Sequence, residues 1–250
     1  MAVNEFFTVE VSPIFSTNYA LLHSAALADN DVMFDWHEFE IPRGTYKLVN
    51  VIGRVRGNNG TKQNIAHELF FANEGDKSLG TYSSAQAGIQ WLPHVQAHLM
   101  VDADDYSGKL ANCSIYNIGQ SANKDTGRTL PTVLQPAKKH INAGYSKMYV
   151  GGLSGGAFDF GTGITTSANV LIGDTTITIG GGGGNNAFLP GDVIADQNGV
   201  LYGTIASVGD AALTLQDATV GDGAVGDVLA SSGAEVHIAN PITLVLQFER

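Results

Sequence analysis

Hydrophobic and polar residues alternate along much of the first 160 positions, which is the pattern of β-strands that bury one face and expose the other. The longest such run, residues 46–56, ends at the glycine and asparagine turn signal of residues 57–60. Strands are predicted at residues 7–11, 32–41, 46–56, 66–72, 112–118, 147–150 and 157–160. The run 66–72 is predicted to return along 46–56 as a hairpin. Helical patterns are scarce, with a short helix predicted at residues 17–27 and a turn at 138–143.

From about residue 161 the apolar runs become shorter and glycine becomes frequent. Short β runs are predicted at residues 168–172, 175–179, 192–194, 201–208 and 212–215. Gly-Asp pairs separate them at residues 173–174, 191–192, 209–210, 221–222 and 226–227. The segments 191–194 and 226–229 repeat one pattern of Gly-Asp followed by two apolar residues. Short strands joined by tight turns predict a small barrel or sandwich, since closure removes exposed strand edges.

The chain ends on an apolar run, residues 241–249, whose pattern of apolar and polar residues resembles that of the first 160 residues. We therefore predict an all-β protein with two domains. The first, residues 1–160 plus 240–250, is predicted to be a jelly-roll-like β-sandwich, because many short strands are joined by crossing connections. The second, residues 161–239, is predicted to be a smaller, glycine-rich and acidic barrel or sandwich. It is inserted before the last strand, an arrangement that neighbouring chain termini permit.

Charge is distributed unevenly along the 250 residues. Residues 1–150 carry 12 Lys or Arg and 14 Asp or Glu, whereas residues 151–249 carry 10 Asp or Glu and no Lys or Arg. Charged residues make up only 15% of the chain, and 20 of the 31 glycines follow residue 150. Because binding to phosphates requires Lys and Arg, the acidic half argues against DNA or RNA as a partner.

Two glycine-rich runs, residues 151–156 and 180–184, invite comparison with phosphate-binding loops. Neither is followed by the Lys-Ser/Thr pair that such a loop needs, so both are interpreted as hairpin loops. Ser154 lies between glycines, but the second glycine is one position too early for a hydrolase nucleophile elbow. Nucleophilic catalysis needs a serine or cysteine activated by a base, and no such pattern is visible. We predict a protein without a catalytic site and without a cofactor.

Metal-binding motifs are incomplete in the same way. His94 and His98 lack the glutamate of a zinc-protease helix, and the acidic run 102–105 lacks the glycine and glutamate of a calcium-binding EF-hand loop. The single cysteine, Cys113, excludes an intrachain disulfide and is predicted to be a buried thiol in a strand. We predict no metal site. No apolar run reaches 18 residues, so no membrane span is expected, and synthesis in a bacterial cytoplasm fits these features.

A resemblance lies in the segment 173–215, where Gly-Asp pairs and short strands flank Pro190-Gly191-Asp192-Val193-Ile194. This pattern resembles small β modules of tailed-phage virion proteins. The first domain is similar to jelly-roll capsid decoration, or cement, proteins, with the strand and turn of residues 39–45 resembling theirs. The resemblance implies a non-enzymatic virion protein on the capsid surface. Its implied partners are the major capsid protein lattice and other copies of itself, as a homotrimer.

On this hypothesis, docking to the phage head runs through the first domain, which holds nearly all of the basic residues. The candidate partner-binding residues lie at one turn and along the strand after it: Arg43, Lys47, Arg54 and Arg56. Arg54 and Arg56 are two positions apart and should share a face. Three other functions stay open. They are a tail or fibre adhesin that binds host glycan through exposed aromatic residues, a glycan-degrading enzyme, and a major capsid or other head–tail structural protein.

Overall fold

In a computed structural model the chain is an all-β protein. The structure describes residues 5–15, 26–57, 62–106, 110–111, 113–119, 130–142, 144–159, 164–180, 188–196, 200–221, 235–238 and 241–250. The strands are β1 (Phe6–Val11), β2 (Val32–Pro42), β3 (Tyr46–Arg56), β4 (His67–Ala72), β5 (Val95–Val101), β6 (Cys113–Gly119), β7 (Thr132–Leu134), β8 (Tyr145–Ser154), β9 (Ile164–Thr165), β10 (Thr176–Thr178), β11 (Val193–Asp196), β12 (Leu201–Val208), β13 (Ala212–Leu215), β14 (Glu235–Ile238) and β15 (Ile242–Glu249). The only helical elements in these ranges are three short 3₁₀ turns.

Nine of these strands form two antiparallel sheets. The first sheet has the order β1-β15-β3-β6, with β7 also pairing with β3, and the second has the order β2-β8-β4-β5. Successive strands cross repeatedly between the two sheets, which is the connectivity of a jelly roll. The jelly-roll-like sandwich is therefore confirmed. The predicted hairpin between residues 46–56 and 66–72 is wrong, because β3 and β4 lie in different sheets.

The jelly-roll core fills the space between the two sheets. Burial alternates along β15, whose inward side chains Ile242, Leu244, Leu246 and Phe248 are all buried there. Gly53 leaves room for one large ring, because a Cβ at this position would overlap the ring of Tyr116 on the neighbouring strand. Strand β15 is a central strand of the first sheet, because it pairs with β1 on one side and with β3 on the other.

A third sheet contains only strands from the glycine-rich half of the chain, in the order β10-β13-β12-β11-β14-β9. We call residues 164–221 and 235–238 the glycine-rich module. A bridge between Thr166 and Ile179 joins the two ends of this sheet, so the strands curl around a common interior. That interior holds a separate apolar cluster: Val170, Ile177, Ile179, Phe188, Ile194, Tyr202, Ile205, Leu213 and Leu215. Whether the module folds independently stays a prediction.

Two Gly-Asp pairs of the module form the same turn. Gly173 and Gly191 both have a φ of +94°, a conformation that glycine adopts without strain. In each turn the aspartate carboxylate accepts a backbone N–H from three residues earlier, Leu171 to Asp174 at 2.8 Å and Leu189 to Asp192 at 2.8 Å. The recurrent Gly-Asp pairs therefore mark a repeated turn geometry at these two places.

Four local predictions are wrong. Gly151 and Gly152 are strand residues of β8, not a hairpin loop. A Cβ at Gly152 would lie 2.6 Å from the Phe34 ring, so this glycine makes room for close packing. Cys113 is exposed, since the inward positions of β6 are taken by Ser114 and its alternate neighbours. The strands predicted at residues 157–160 and 168–172 are also wrong, because residues 157–159 and 168–172 are not in strands.

Several predictions fall outside the described residues. They concern most of the helix predicted at 17–27, the turn at 58–60, the glycines 181–184 and the second Gly-Asp repeat at 226–229. Within the described ranges there is no helix with the length and apolar character needed to cross a membrane.

Candidate functional site

Strand β3 carries three of the four predicted partner-binding residues on its outward face. Lys47, Arg54 and Arg56 point away from the core, whereas the alternating residues Leu48 and Val55 are buried. Arg43 lies in the turn that leads into β3 and is exposed. The structure therefore brings Arg54 and Arg56 to one face of the first sheet and places Arg43 and Lys47 at its other end.

Arg56 forms a bidentate ion pair with Asp192 of the glycine-rich module. Its two terminal nitrogens donate to the two carboxylate oxygens, and the side chains are only 20% and 7% exposed. Asp192 is also held by its own turn through the Leu189 N–H. Paired guanidinium and carboxylate groups in this geometry form strong, directional contacts. Arg56 therefore connects the jelly roll to the module, a role that spacing in the sequence did not indicate.

Arg54 is held less tightly. Its guanidinium lies 3.4 Å from Glu10 on β1, and both side chains are more than half exposed. An exposed pair of this kind contributes under about 1 kcal/mol. Lys47 and Arg43 are exposed, and no residue in the described ranges forms an ion pair with either of them. The four basic residues thus differ in how much of their charge is available to a partner.

Between β3 and the module lies a cleft of about 400 Å³. Its floor is one row of outward residues across the first sheet, Ser12, Thr243, Arg54 and Ile115. Its wall is the turn 189–193 of the module. Volumes of about 300–1,000 Å³ at the junction of two structural units are typical of ligand sites.

The outer face of the second sheet is covered by the chain itself. The segment 73–91 packs over it, and Trp91 joins Phe70 and Leu79 in a small apolar cluster with Trp36 beside it. The Trp91 indole nitrogen donates to the backbone oxygens of Ala87 and Gly88 at 3.1 and 2.7 Å. The outer face of the first sheet is therefore the more accessible broad surface of the jelly roll.

His67 lies at the centre of a buried hydrogen-bonded group in the jelly roll. It is fully buried, with the Tyr116 hydroxyl 3.0 Å from Nε2 and the Ile65 oxygen 3.2 Å from Nδ1. The Tyr106 hydroxyl lies 3.1 Å from Nδ1 and donates to the same Ile65 oxygen at 2.7 Å. A neutral ring with its proton on Nδ1 satisfies all of these contacts. Burial lowers the pKa of His67 to about 4 and raises the pKa of Tyr116.

The histidines and aspartates that the sequence suggests as possible metal ligands form separate local contacts. His98 lies 3.0 Å from Glu68, and its ring stacks on Phe70. His94 lies 3.6 Å from Glu74. The acidic run 102–105 forms a 3₁₀ turn whose carboxylates cap backbone N–H groups. No group of three or more His, Cys, Asp or Glu positioned for a metal ion occurs among the described residues.

The two aromatic residues of the module, Phe188 and Tyr202, are 2% and 0% exposed and belong to its core. They are therefore unavailable as stacking platforms for a sugar. No protein-family model matches the chain, and no curated protein matches it in a sequence search.

Proposed function

We propose that this chain is a non-enzymatic decoration, or cement, protein that binds the outer surface of a tailed-phage head. The observation that carries the proposal is the architecture, a jelly roll whose last connection, between β8 and β15, holds a glycine-rich acidic module. Jelly rolls are recurrent in viral capsid and lectin domains. A decoration protein acts by burying surface against a lattice, a role that needs no reacting group.

One end of the first sheet is the proposed docking patch, defined as Phe6, Arg43, Lys47 and Val133. Lys47 pairs in register with Val133 on β7 and with Glu249 on β15, and Phe6 follows Glu249 in the same row across the sheet. Phe6 and Val133 are 68% and 56% exposed. Exposed apolar side chains beside exposed cations combine the buried area and the charge complementarity that a protein interface needs. Arg54 and Arg56 contribute less, because both already have carboxylate partners.

The glycine-rich module contacts β3 at Arg56, the end opposite Lys47, and in this arrangement it points away from the shell. Its described part contains no lysine or arginine, so contact with a shell of like charge would be unfavourable. Outward projection also lets the same charge oppose clustering of particles.

The adhesin alternative is weakened by the burial of Phe188 and Tyr202, because glycan sites depend on exposed aromatic rings. The lectin-like use of a jelly roll keeps it as the second candidate. The alternative of a major capsid protein is not supported by any long helix in the described ranges.

The test is co-sedimentation of the full-length protein with phage heads that lack their decoration protein. Wild-type protein should sediment with the heads, and the double variant Arg43→Glu/Lys47→Glu should bind at least about tenfold more weakly, because each reversed charge meets a like charge. Lys77→Glu is the matched control, since Lys77 is exposed on the segment that covers the other sheet.

Equal binding by the double variant and the wild type would exclude the docking patch while leaving capsid binding intact. Absence of wild-type sedimentation with every decoration-free head tested, together with binding to host glycans, would replace the decoration role by the adhesin role.

A further inference from the structure

We propose that the cleft between the first sheet and the glycine-rich module binds a ligand with an aliphatic body and a terminal carboxylate. The site is formed by Arg54 and Ile115 on the floor and by Leu189 and Val193 on the wall. The inference goes beyond the proposed function and does not depend on it. Fatty acids and the C-terminal residues of polypeptides share this chemistry.

The wall and the far end of the floor are apolar but incompletely covered. Leu189, Val193 and Ile115 are 57%, 41% and 37% exposed, although all three line a concave surface. Burying apolar area contributes roughly 25 cal/mol per Å², so an aliphatic group that enters the cleft removes exposed surface on both sides. Pro190 and Pro241 complete this apolar lining. The body of the ligand is therefore aliphatic.

The polar end of the cleft favours a carboxylate. The two arginines there are unequal, because Arg56 has both terminal nitrogens on Asp192 whereas Arg54 has a single contact of 3.4 Å to Glu10. Arg54 thus retains donors that can form the forked contact preferred by a carboxylate. The Ser12 and Thr243 hydroxyls, 3.3 Å apart on the same row, are further hydrogen-bonding groups. An incoming carboxylate would replace Glu10 as the partner of Arg54.

The cleft is electrically balanced without a ligand, with Glu10 and Asp192 opposing the two arginines. Removing the Glu10 charge should therefore strengthen binding, and removing the Arg54 charge should weaken it. A response of opposite sign to these two substitutions distinguishes a carboxylate site from nonspecific adsorption to apolar surface.

The experiment is calorimetric titration of the full-length protein with octanoate, octanol and acetate, and with N-acetyl-leucyl-leucine as a C-terminal peptide probe. Octanoate or the peptide should bind at least about tenfold more tightly than octanol or acetate, in line with a charge-assisted hydrogen bond. Which of the two binds better identifies the source of the ligand. Arg54→Gln should weaken binding about tenfold, and Glu10→Gln should strengthen it severalfold.

Arg43→Gln is the matched control, because Arg43 is exposed and lies outside the cleft. Leu189→Ser should weaken the longer probes and leave acetate unchanged, with thermal melting used to verify that each variant is folded. Equal affinity for octanol and octanoate, an unchanged affinity in Arg54→Gln, or no binding of any probe at millimolar concentration would each overturn the proposal.

Discussion

In the jelly roll, strands of up to 11 residues face one another across a core rich in aromatic rings, whereas strands in the glycine-rich module have two to eight residues. Three glycines illustrate two uses of this residue. Gly53 and Gly152 make room for the rings of Tyr116 and Phe34, but Gly173 supplies a positive φ in a turn with open space around it.

The two regions meet at a charged contact. The ion pair between Arg56 and Asp192 joins an outward residue of β3 to a turn of the module. The two apolar clusters are separate, and this ion pair is a direct side-chain contact between the regions. The following predictions measure how independent the regions are.

The largest effect should come from emptying either core. Phe34→Ala in the jelly roll and Phe188→Ala in the module each remove a buried ring and leave a cavity, which costs about 3–5 kcal/mol. If the regions are separate folding units, Phe34→Ala lowers one thermal transition and Phe188→Ala lowers another. Differential scanning calorimetry of the full-length variants resolves the transitions. A single transition that both variants lower alike would make the chain one cooperative unit.

Acid should weaken the jelly roll through His67. The folded-state pKa of about 4 lies below the ordinary value of 6.5, so the unfolded chain binds the proton more readily between these values. The contribution of His67 to the free energy of unfolding should be fully present above pH 6.5. The free energy of unfolding should fall by about 3 kcal/mol as the pH drops to 4. Urea denaturation at several pH values measures this loss.

His67→Gln keeps donor and acceptor groups near the two tyrosines but cannot titrate. It should be less stable than the wild type at pH 7 and should lack most of the loss between pH 6.5 and 4. His98→Gln, at a part-exposed histidine on the same sheet, is the control. An unchanged acid slope in His67→Gln would show that other groups cause it.

The sequence predicts strands in both regions well, because alternation along a strand records which face is buried. The run 46–56 matches β3 residue for residue, and 201–208 and 212–215 match β12 and β13. Partners of strands are less predictable, since alternation does not say which sheet a strand joins. The runs of β3 and β4 are neighbours in the sequence and therefore predict a hairpin, but the two strands join different sheets.

The candidate site was predictable only in part. The alternation correctly indicates that Arg54 and Arg56 share a face. It carries no signal that Arg56 reaches Asp192, because the residues are 136 positions apart and Asp192 looks like every other Gly-Asp aspartate. Cys113 is exposed because it occupies an outward position of β6, and residue type alone does not indicate that position.

A smaller loss of stability should distinguish the turn at Asp192 from the matching turn at Asp174. Asp192→Asn keeps an acceptor for the Leu189 N–H but removes the charge that pairs with Arg56, so stability should fall by about 2 kcal/mol. Asp174→Asn alters the same turn where no arginine is paired in the described ranges, and should cost only a few tenths of a kcal/mol. Chemical denaturation of both variants tests the difference. Equal costs would mean that the ion pair adds nothing to stability.

The smallest effect should come from the glycines of those turns. Gly173→Ala and Gly191→Ala place a Cβ where no atom lies within 4 Å, so neither change creates a clash. What remains is the strain of a positive φ, about 1 kcal/mol in each turn. If the turns are equivalent, the two variants lose equal stability in chemical denaturation.

A larger loss for Gly191→Ala would mean that the altered turn also displaces the Asp192 carboxylate from Arg56. In that case the excess should vanish in an Arg56→Gln background, because the contact being disturbed is already absent. An excess that persists there would instead place the additional constraint within the module itself.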